Sequence, residues 1–193
     1  MANIDRLRGF IAQTARIVER HGADEAATLA ALEPELAALI ISDDFLPAAY
    51  TVPHPQYYQQ YLLYGDPQDR FSVVSFVWGP GQKTPVHNHR TWGAIGVLRG
   101  AELSTDYTKQ DGKLIPGPTE KLEPGRVVAV SPTIGDVHQI ANAYDDRVSI
   151  SIHVYGGNIG RIHREVFVPE SGAVKPFVSG YVNADTPNLW AAE

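Results

Sequence analysis

The chain has 193 residues, and none of them is cysteine. That length fits one domain, or one domain with an appendage. The missing cysteines exclude disulfides, Cys–zinc sites, iron–sulfur clusters and thiol nucleophiles together. Lys and Arg number 16 against 22 Asp and Glu, a formal charge of −6. This is the wrong sign for non-specific nucleic-acid binding, which depends on basic surface.

Any metal must therefore be held by His, Asp, Glu or other oxygen donors. Hydrophobic residues make up 44% and charged residues 20%, ordinary for a globular protein. No apolar run approaches the ~18 residues that a membrane span needs. The N-terminal stretch is amphipathic, unlike an apolar signal core. The expectation is a cytoplasmic protein with neither a membrane nor a nucleic-acid partner.

In chain order, helices come first. Ile4, Leu7, Phe10, Ile11, Thr14, Ile17 and Val18 recur at three- and four-residue spacing. Asn3 is placed to cap this helix and His21-Gly22 to stop it. Asp24 can cap a second helix running through Leu32. Pro34 is placed to open a third, carrying Leu36, Leu39 and Ile40. A further short helix fits Pro55 to Tyr64. Residues 1–66 thus read as a helical segment, packed on a barrel formed by residues 67–193, as one structural domain.

From Arg70 the pattern changes to short β-rich runs broken by Gly and Pro. The runs are Phe71–Trp78, Trp92–Leu98, Arg126–Val130, Asp136–Ala141, Val148–Tyr155 and Glu165–Val168. This spacing suggests a sandwich or barrel. The stretch from Ser171 has no clear period and ends in an exposed-looking Asn-Leu-Trp-Ala-Ala-Glu.

Four of the seven histidines carry most of the chemical information. On a strand, alternate residues share a face, so His87 and His89 point the same way and can ligate one metal. Two surface histidines would look the same. His138, at a turn entering a strand, is the third donor that a barrel needs for a facial metal site. In Val148–Tyr155, the residues Val148, Ile150, Ile152 and Val154 share one face. Ser149, Ser151, His153 and Tyr155 share the other. That polar face either meets solvent or lines a functional interior, where Ser151 and His153 can orient the Tyr155 hydroxyl. His54 reads as a turn residue near a helix start, and His21 as a helix-end cation. Trp78 and Trp92 read as barrel packing or pocket wall.

These residues resemble the two cupin motifs. Gly81, His87, His89 and Gly100 match the first motif, with Gly93 (or Ala94) where a glutamate ligand is usual. Gly125, Pro132, Gly135, His138 and Asn142 match the second, with one extra residue on each side of the proline. The resemblance covers roughly residues 70–168. It implies a mainly β cupin barrel (double-stranded β-helix, jelly roll) with an N-terminal helical segment.

The glutamate-free ligand set and the Ser-x-His-x-Tyr strand are similar to the thiol dioxygenases of the cysteine dioxygenase family. That resemblance implies Fe(II) held by His87, His89 and His138. It implies a catalytic outer relay of Tyr155, His153 and Ser151. The partners would be O₂ and a small thiol carboxylate, oxidised to a sulfinate. The animal enzymes bind the substrate carboxylate through an arginine in a Tyr-x-Arg-x-Leu motif. Here Gln60 holds that place, in Tyr58-Gln-Gln-Tyr-Leu62. Gly93 stands where the animal enzymes carry the cysteine of a Cys–Tyr cross-link. Both features resemble the bacterial branch acting on 3-mercaptopropionate, and imply Gln60 and Arg164 as substrate-binding residues. A solvated surface charge is the plainer reading of Arg164, and Arg161 competes for the role. Two other readings fit the same motifs: a cupin dioxygenase acting on a non-thiol substrate with another metal, and a non-catalytic ligand-binding cupin.

Overall fold

The structure, a computed structural model, describes residues 2–190. The last three residues of the C-terminal stretch, 191–193, lie outside the described residues. Two helices come first, α1 (Ile4–His21) and α2 (Glu25–Ile40). The buried face of α1 is the set of seven residues read from the spacing, and Gly22 ends it. Asn3 holds the N-cap place without a side-chain capping bond. Asp24 does cap α2, its carboxylate accepting from the Ala27 N–H at 3.0 Å.

The structure has one helix where the sequence suggests two, because α2 continues through Pro34. An interior proline costs roughly 3 kcal/mol. Leu29, Leu32, Leu36, Leu39 and Ile40 form one buried stripe across it. Each such side chain contributes about 1.5–3 kcal/mol on burial, so the stripe outweighs the break. Pro34 itself sits on the exposed face.

After a short 3-10 turn at Ala48–Tyr50, the remaining elements are strands. The first strand, β1 (Gln59–Gly65), corrects the helix expected over Pro55–Tyr64 and lies inside the stretch 1–66 read as helical. Two-residue alternation governs here: Leu63 enters the core while Gln60 and Leu62 face the other side of the sheet. Antiparallel pairing with β2 (Ser72–Trp78) supplies the backbone partners. His54 accordingly precedes a strand and not the start of a helix. Its Nδ1 accepts from the Gln56 N–H, and its ring stacks on Tyr57.

Next come β3 (Val86–His87), β4 (Gly93–Arg99), β5 (Glu102–Gln110), β6 (Lys113–Leu122), β7 (Val127–Val130), β8 (His138–Asn142), β9 (Ser149–Tyr155), β10 (Arg164–Val168) and β11 (Ala173–Phe177). Five strands form one sheet in the order β1-β2-β9-β4-β7, and six form the other in the order β11-β10-β3-β8-β5-β6. All pairings are antiparallel. Two facing antiparallel sheets with this crossed-over strand order form a double-stranded β-helix, the cupin fold.

The hairpin β5–β6 and the strand β11 fall outside the runs read from the sequence. The hairpin is mostly exposed and lacks apolar alternation. Its turn did carry a signal, however. Asp111 and Gly112 both have positive φ, 50° and 78°, the backbone that an Asp-Gly two-residue hairpin turn requires.

The helices decide which side of the five-stranded sheet is interior. Leu32 and Leu36 of α2 pack in one core with Val73 and Val77 of β2, Ala94 of β4 and Ile150, Ile152 and Val154 of β9. The approach is close: a Cβ on Gly96 would stand 2.8 Å from Ile40 Cδ1. A second cluster, with Val74, Phe76, Trp78, Ile140 and Tyr155, fills the barrel between the sheets. Trp92 belongs to the helix-side core, whereas Trp78 faces the barrel. Among the described residues no helix is long and apolar enough to cross a membrane.

Candidate metal and substrate site

His87 lies on β3 directly opposite His138 on β8. His89 is just past the two-residue β3, so simple strand alternation does not place it. The His87–His89 loop is instead held by Asn88. The Asn88 amide donates to Glu165 Oε2 at 2.8 Å and accepts from the Glu165 N–H at 2.8 Å. The three imidazoles converge, with one donor atom from each lying within 4.8 Å of the others.

Hydrogen bonds fix two of the tautomers. His87 Nδ1 faces the Pro85 carbonyl at 3.1 Å and His89 Nδ1 faces Asp136 Oδ1 at 3.0 Å. Each Nδ1 therefore carries the proton, and each Nε2 is left with its lone pair. Asp136 also accepts from the backbone N–H groups of His89 and Arg90, both at 2.9 Å, which fixes the carboxylate as well. His89 Nε2 is buried and has no hydrogen-bond partner. Burial holds all three imidazoles below their ordinary pKa, His87 and His138 well below. Three neutral nitrogen donors, one of them buried without a partner, are a donor set that fits a divalent first-row metal.

The wall of this site is β9, buried along its whole length. Ser151 Oγ lies 2.8 Å from His153 Nε2, and His153 Nδ1 lies 2.7 Å from the Tyr155 hydroxyl. Phe76 stacks on the His153 ring at 4.2 Å, and Tyr155 stacks on His89 at 5.5 Å between centroids. Burial raises the Tyr155 pKa far above the ordinary phenol value, so the hydroxyl keeps its proton. Gly93 faces Tyr155 across the β4–β9 pair, and a Cβ there would stand 2.8 Å from Tyr155 Cδ1.

Opposite lies Arg164, the first residue of β10, only 4% exposed. Its guanidinium sits over the Phe177 ring at 4.5 Å and donates to Ser179 Oγ at 2.7 Å. Its Nε has no partner. Among the described residues no carboxylate forms an ion pair with it. Arg161 is exposed and turned toward Asp69, 3.9 Å away. Gln60 lines the same pocket, and its amide N–H groups donate to Ser179 Oγ and the Gly180 carbonyl.

The stretch beyond Ser171 thus reaches the pocket through Phe177 and Ser179. Sequence reading gave it no period and missed both residues. Asp136 was also missed, although it stands two residues before His138. The space reachable by the centre of a water-sized sphere is about 20 Å³. One water needs at least roughly 10–15 Å³ on that measure, so the site takes a small ligand.

Glu102, on β5, is fully buried at the far end of the β9 polar face. It accepts from the Ser149 hydroxyl at 3.2 Å, and its Oε2 has no partner. Burial pushes its carboxyl from 4.5 up to about 7. Between these two pH values the unfolded chain is ionised while the folded chain keeps its proton, so stability falls as pH rises. The shift corresponds to about 3 kcal/mol, fully lost above pH 7. Glu102→Gln should match wild type in urea unfolding near pH 4 and exceed it by about that amount at pH 8.

No family model matches the chain. Solved structures of similar outline include an uncharacterized protein with a double-stranded β-helix domain from Klebsiella pneumoniae, 20% identical over 57% of this chain and 81% of that one, TM-score 0.47. An RmlC-like cupin protein from Desulfovibrio desulfuricans is 23% identical over 57% and 92%, TM-score 0.40. An oxalate oxidase is 16% identical over 58% of each chain, TM-score 0.45. The strand order carries the fold, and the side chains carry the site. Together they define a cupin-fold protein with a three-histidine site able to hold a metal.

Proposed function

We propose that the chain is an Fe(II)-dependent thiol dioxygenase acting on a small thiol carboxylate, with 3-mercaptopropionate favoured over L-cysteine. One observation carries the reading. A single small pocket holds three neutral histidines, a buried arginine without a counter-anion, and a phenol held by a hydrogen-bonded histidine. The net reaction balances as RSH + O₂ → RSO₂H: sulfur loses four electrons and both oxygen atoms join it.

His87, His89 and His138 would hold the iron, whose bound form supplies Lewis acidity toward a thiolate and redox chemistry toward O₂. Arg164 receives the substrate carboxylate, and the missing counter-anion is what makes its burial favourable only with an anion present. Gln60 has both amide N–H groups engaged by Ser179 and Gly180, so its part is to hold Ser179 against Arg164. Tyr155 offers a hydroxyl beside the His89 ring, oriented by His153 and then Ser151. Phe76 and Trp78 wall off water on that side.

Iron-loaded protein should consume O₂ with 3-mercaptopropionate and, less efficiently, with cysteine, and form the sulfinate in equal amount. An oxygen electrode and mass spectrometry of the product check this. No thiol-dependent uptake with either compound would overturn the assignment.

A further inference from the structure

Two nitrogen donors meet at the Ser179 hydroxyl on the wall of the pocket. Arg164 Nη2 donates to Ser179 Oγ at 2.7 Å, and Gln60 Nε2 donates to the same oxygen at 3.1 Å. The Gln60 amide is held in this orientation, because Nε2 also donates to the Gly180 carbonyl at 2.9 Å. Neither an amide N–H nor a guanidinium N–H can accept a hydrogen bond. Both lone pairs of the Ser179 oxygen are therefore taken, and its one proton has to be donated to something else. Among the described residues no group receives it.

Ser179 lies on an exposed stretch, yet the chain there is fastened on both sides. Gly180 has a positive φ of 65°, and its N–H donates to the Gly160 carbonyl at 3.0 Å. The Val182 N–H donates to the Gln60 carbonyl at 3.0 Å. The Asn183 amide pairs with the backbone of β1, accepting from the Leu62 N–H at 2.8 Å and donating to the Leu62 carbonyl at 2.9 Å. The Tyr181 hydroxyl accepts from the Gly160 N–H at 3.0 Å and donates to Asn158 Oδ1 at 2.7 Å. A Cβ at Gly160 would stand 2.4 Å from the Tyr181 ring, so the ring seats on bare backbone. These bonds hold Ser179 in place before a ligand arrives, which lowers the cost of binding one.

We infer that Ser179 is a specificity-determining residue whose hydroxyl donates to the carboxylate of the ligand, beside the Arg164 guanidinium. Two adjacent donors suit the two oxygens of one carboxylate, and a hydrogen bond to an ionised acceptor is stronger than a neutral one. Arg164 supplies the charge and Ser179 a fixed direction. A thiol without an anionic end gains nothing from the hydroxyl. The identity of the ligand as a thiol carboxylate rests on the thiol dioxygenase reading, whereas the demand for an acceptor at Ser179 does not.

The test reads binding instead of turnover. Protein loaded with Zn(II), which is inert toward O₂, is titrated anaerobically in a calorimeter with two thiols. One is 3-mercaptopropionate and the other is 1-propanethiol, which has a methyl group in place of the carboxylate. Ser179→Ala leaves the Arg164 charge in place, so a loss reports the hydroxyl. It should weaken 3-mercaptopropionate by roughly 10–100-fold, the scale of one hydrogen bond to a charged group, and leave 1-propanethiol unchanged. Ser179→Thr keeps the hydroxyl and should bind both thiols like wild type. Wild-type affinity for 3-mercaptopropionate in Ser179→Ala overturns the inference. So does an equal loss for both thiols, or a loss in Ser179→Thr as large as in Ser179→Ala, since either assigns the effect to chain position alone. Wild-type protein that binds 3-mercaptopropionate no better than 1-propanethiol overturns the carboxylate site itself. Oxygen uptake is read separately on iron-loaded protein. Binding that depends on Ser179 with no oxygen uptake ends the dioxygenase reading and leaves the carboxylate site standing.

Discussion

Replacing His138 by alanine should remove metal binding and thiol-dependent oxygen uptake together. It deletes one of three donors that lie within 4.8 Å of one another, and no carboxylate stands in for it at Gly93. Two imidazoles without a third seldom hold a first-row metal against buffer. Iron content after desalting, measured by emission spectroscopy, should fall from near one atom per chain to background. Asp136→Asn tests the same site more gently. It weakens the acceptor that holds the His89 Nδ1–H, and an outer partner of this kind is worth about 10–100-fold in metal affinity or activity. Wild-type iron retention in His138→Ala would show that the metal sits elsewhere.

Arg164→Met should move binding and stability in opposite directions. The guanidinium is buried without a counter-anion, so the folded protein carries its desolvation cost until an anion arrives. Methionine removes that cost and keeps much of the apolar contact with Phe177. Thermal stability of the variant without substrate should rise, by at least about 1 kcal/mol. The KM for 3-mercaptopropionate should rise by ~10²-fold or more, the scale of losing a buried charged hydrogen-bond pair. For 2-aminoethanethiol, which lacks the carboxylate, KM should hardly change. If Arg164→Met raised KM equally for both thiols, carboxylate recognition would lie elsewhere. Gln60→Arg adds a second test. It deletes the two bonds that hold residues 179–180, and should alter the preference between 3-mercaptopropionate and cysteine.

The legible and illegible parts of the molecule divide along physical lines. The face of α1 could be read because 3.6-residue periodicity is local, and every residue it names is buried. The histidine spacing was likewise readable as two motifs. The helix read over Pro55–Tyr64 became β1 because pairing with β2 decides that segment, and β2 lies outside any local window. The break read at Pro34 closed because one buried stripe spans it. Glu102 went unread because a lone acidic residue in a polar run carries no local sign of burial.

The sequence by itself determined the chemistry on offer. With no cysteine, a metal had only nitrogen and oxygen donors, and His87, His89 and His138 stood at motif positions without a carboxylate. It also determined that β9 has one apolar and one polar face, since side-chain alternation is a property of any strand. It left open which face meets water. Tertiary structure decided that: α2, with α1 packed on it, covers the apolar face, so Ser151, His153 and Tyr155 turn into the barrel. The same packing brought Arg164, Phe177 and Ser179 to the pocket and left Arg161 exposed. These are contacts between residues far apart in the chain, set by which surfaces can be buried together.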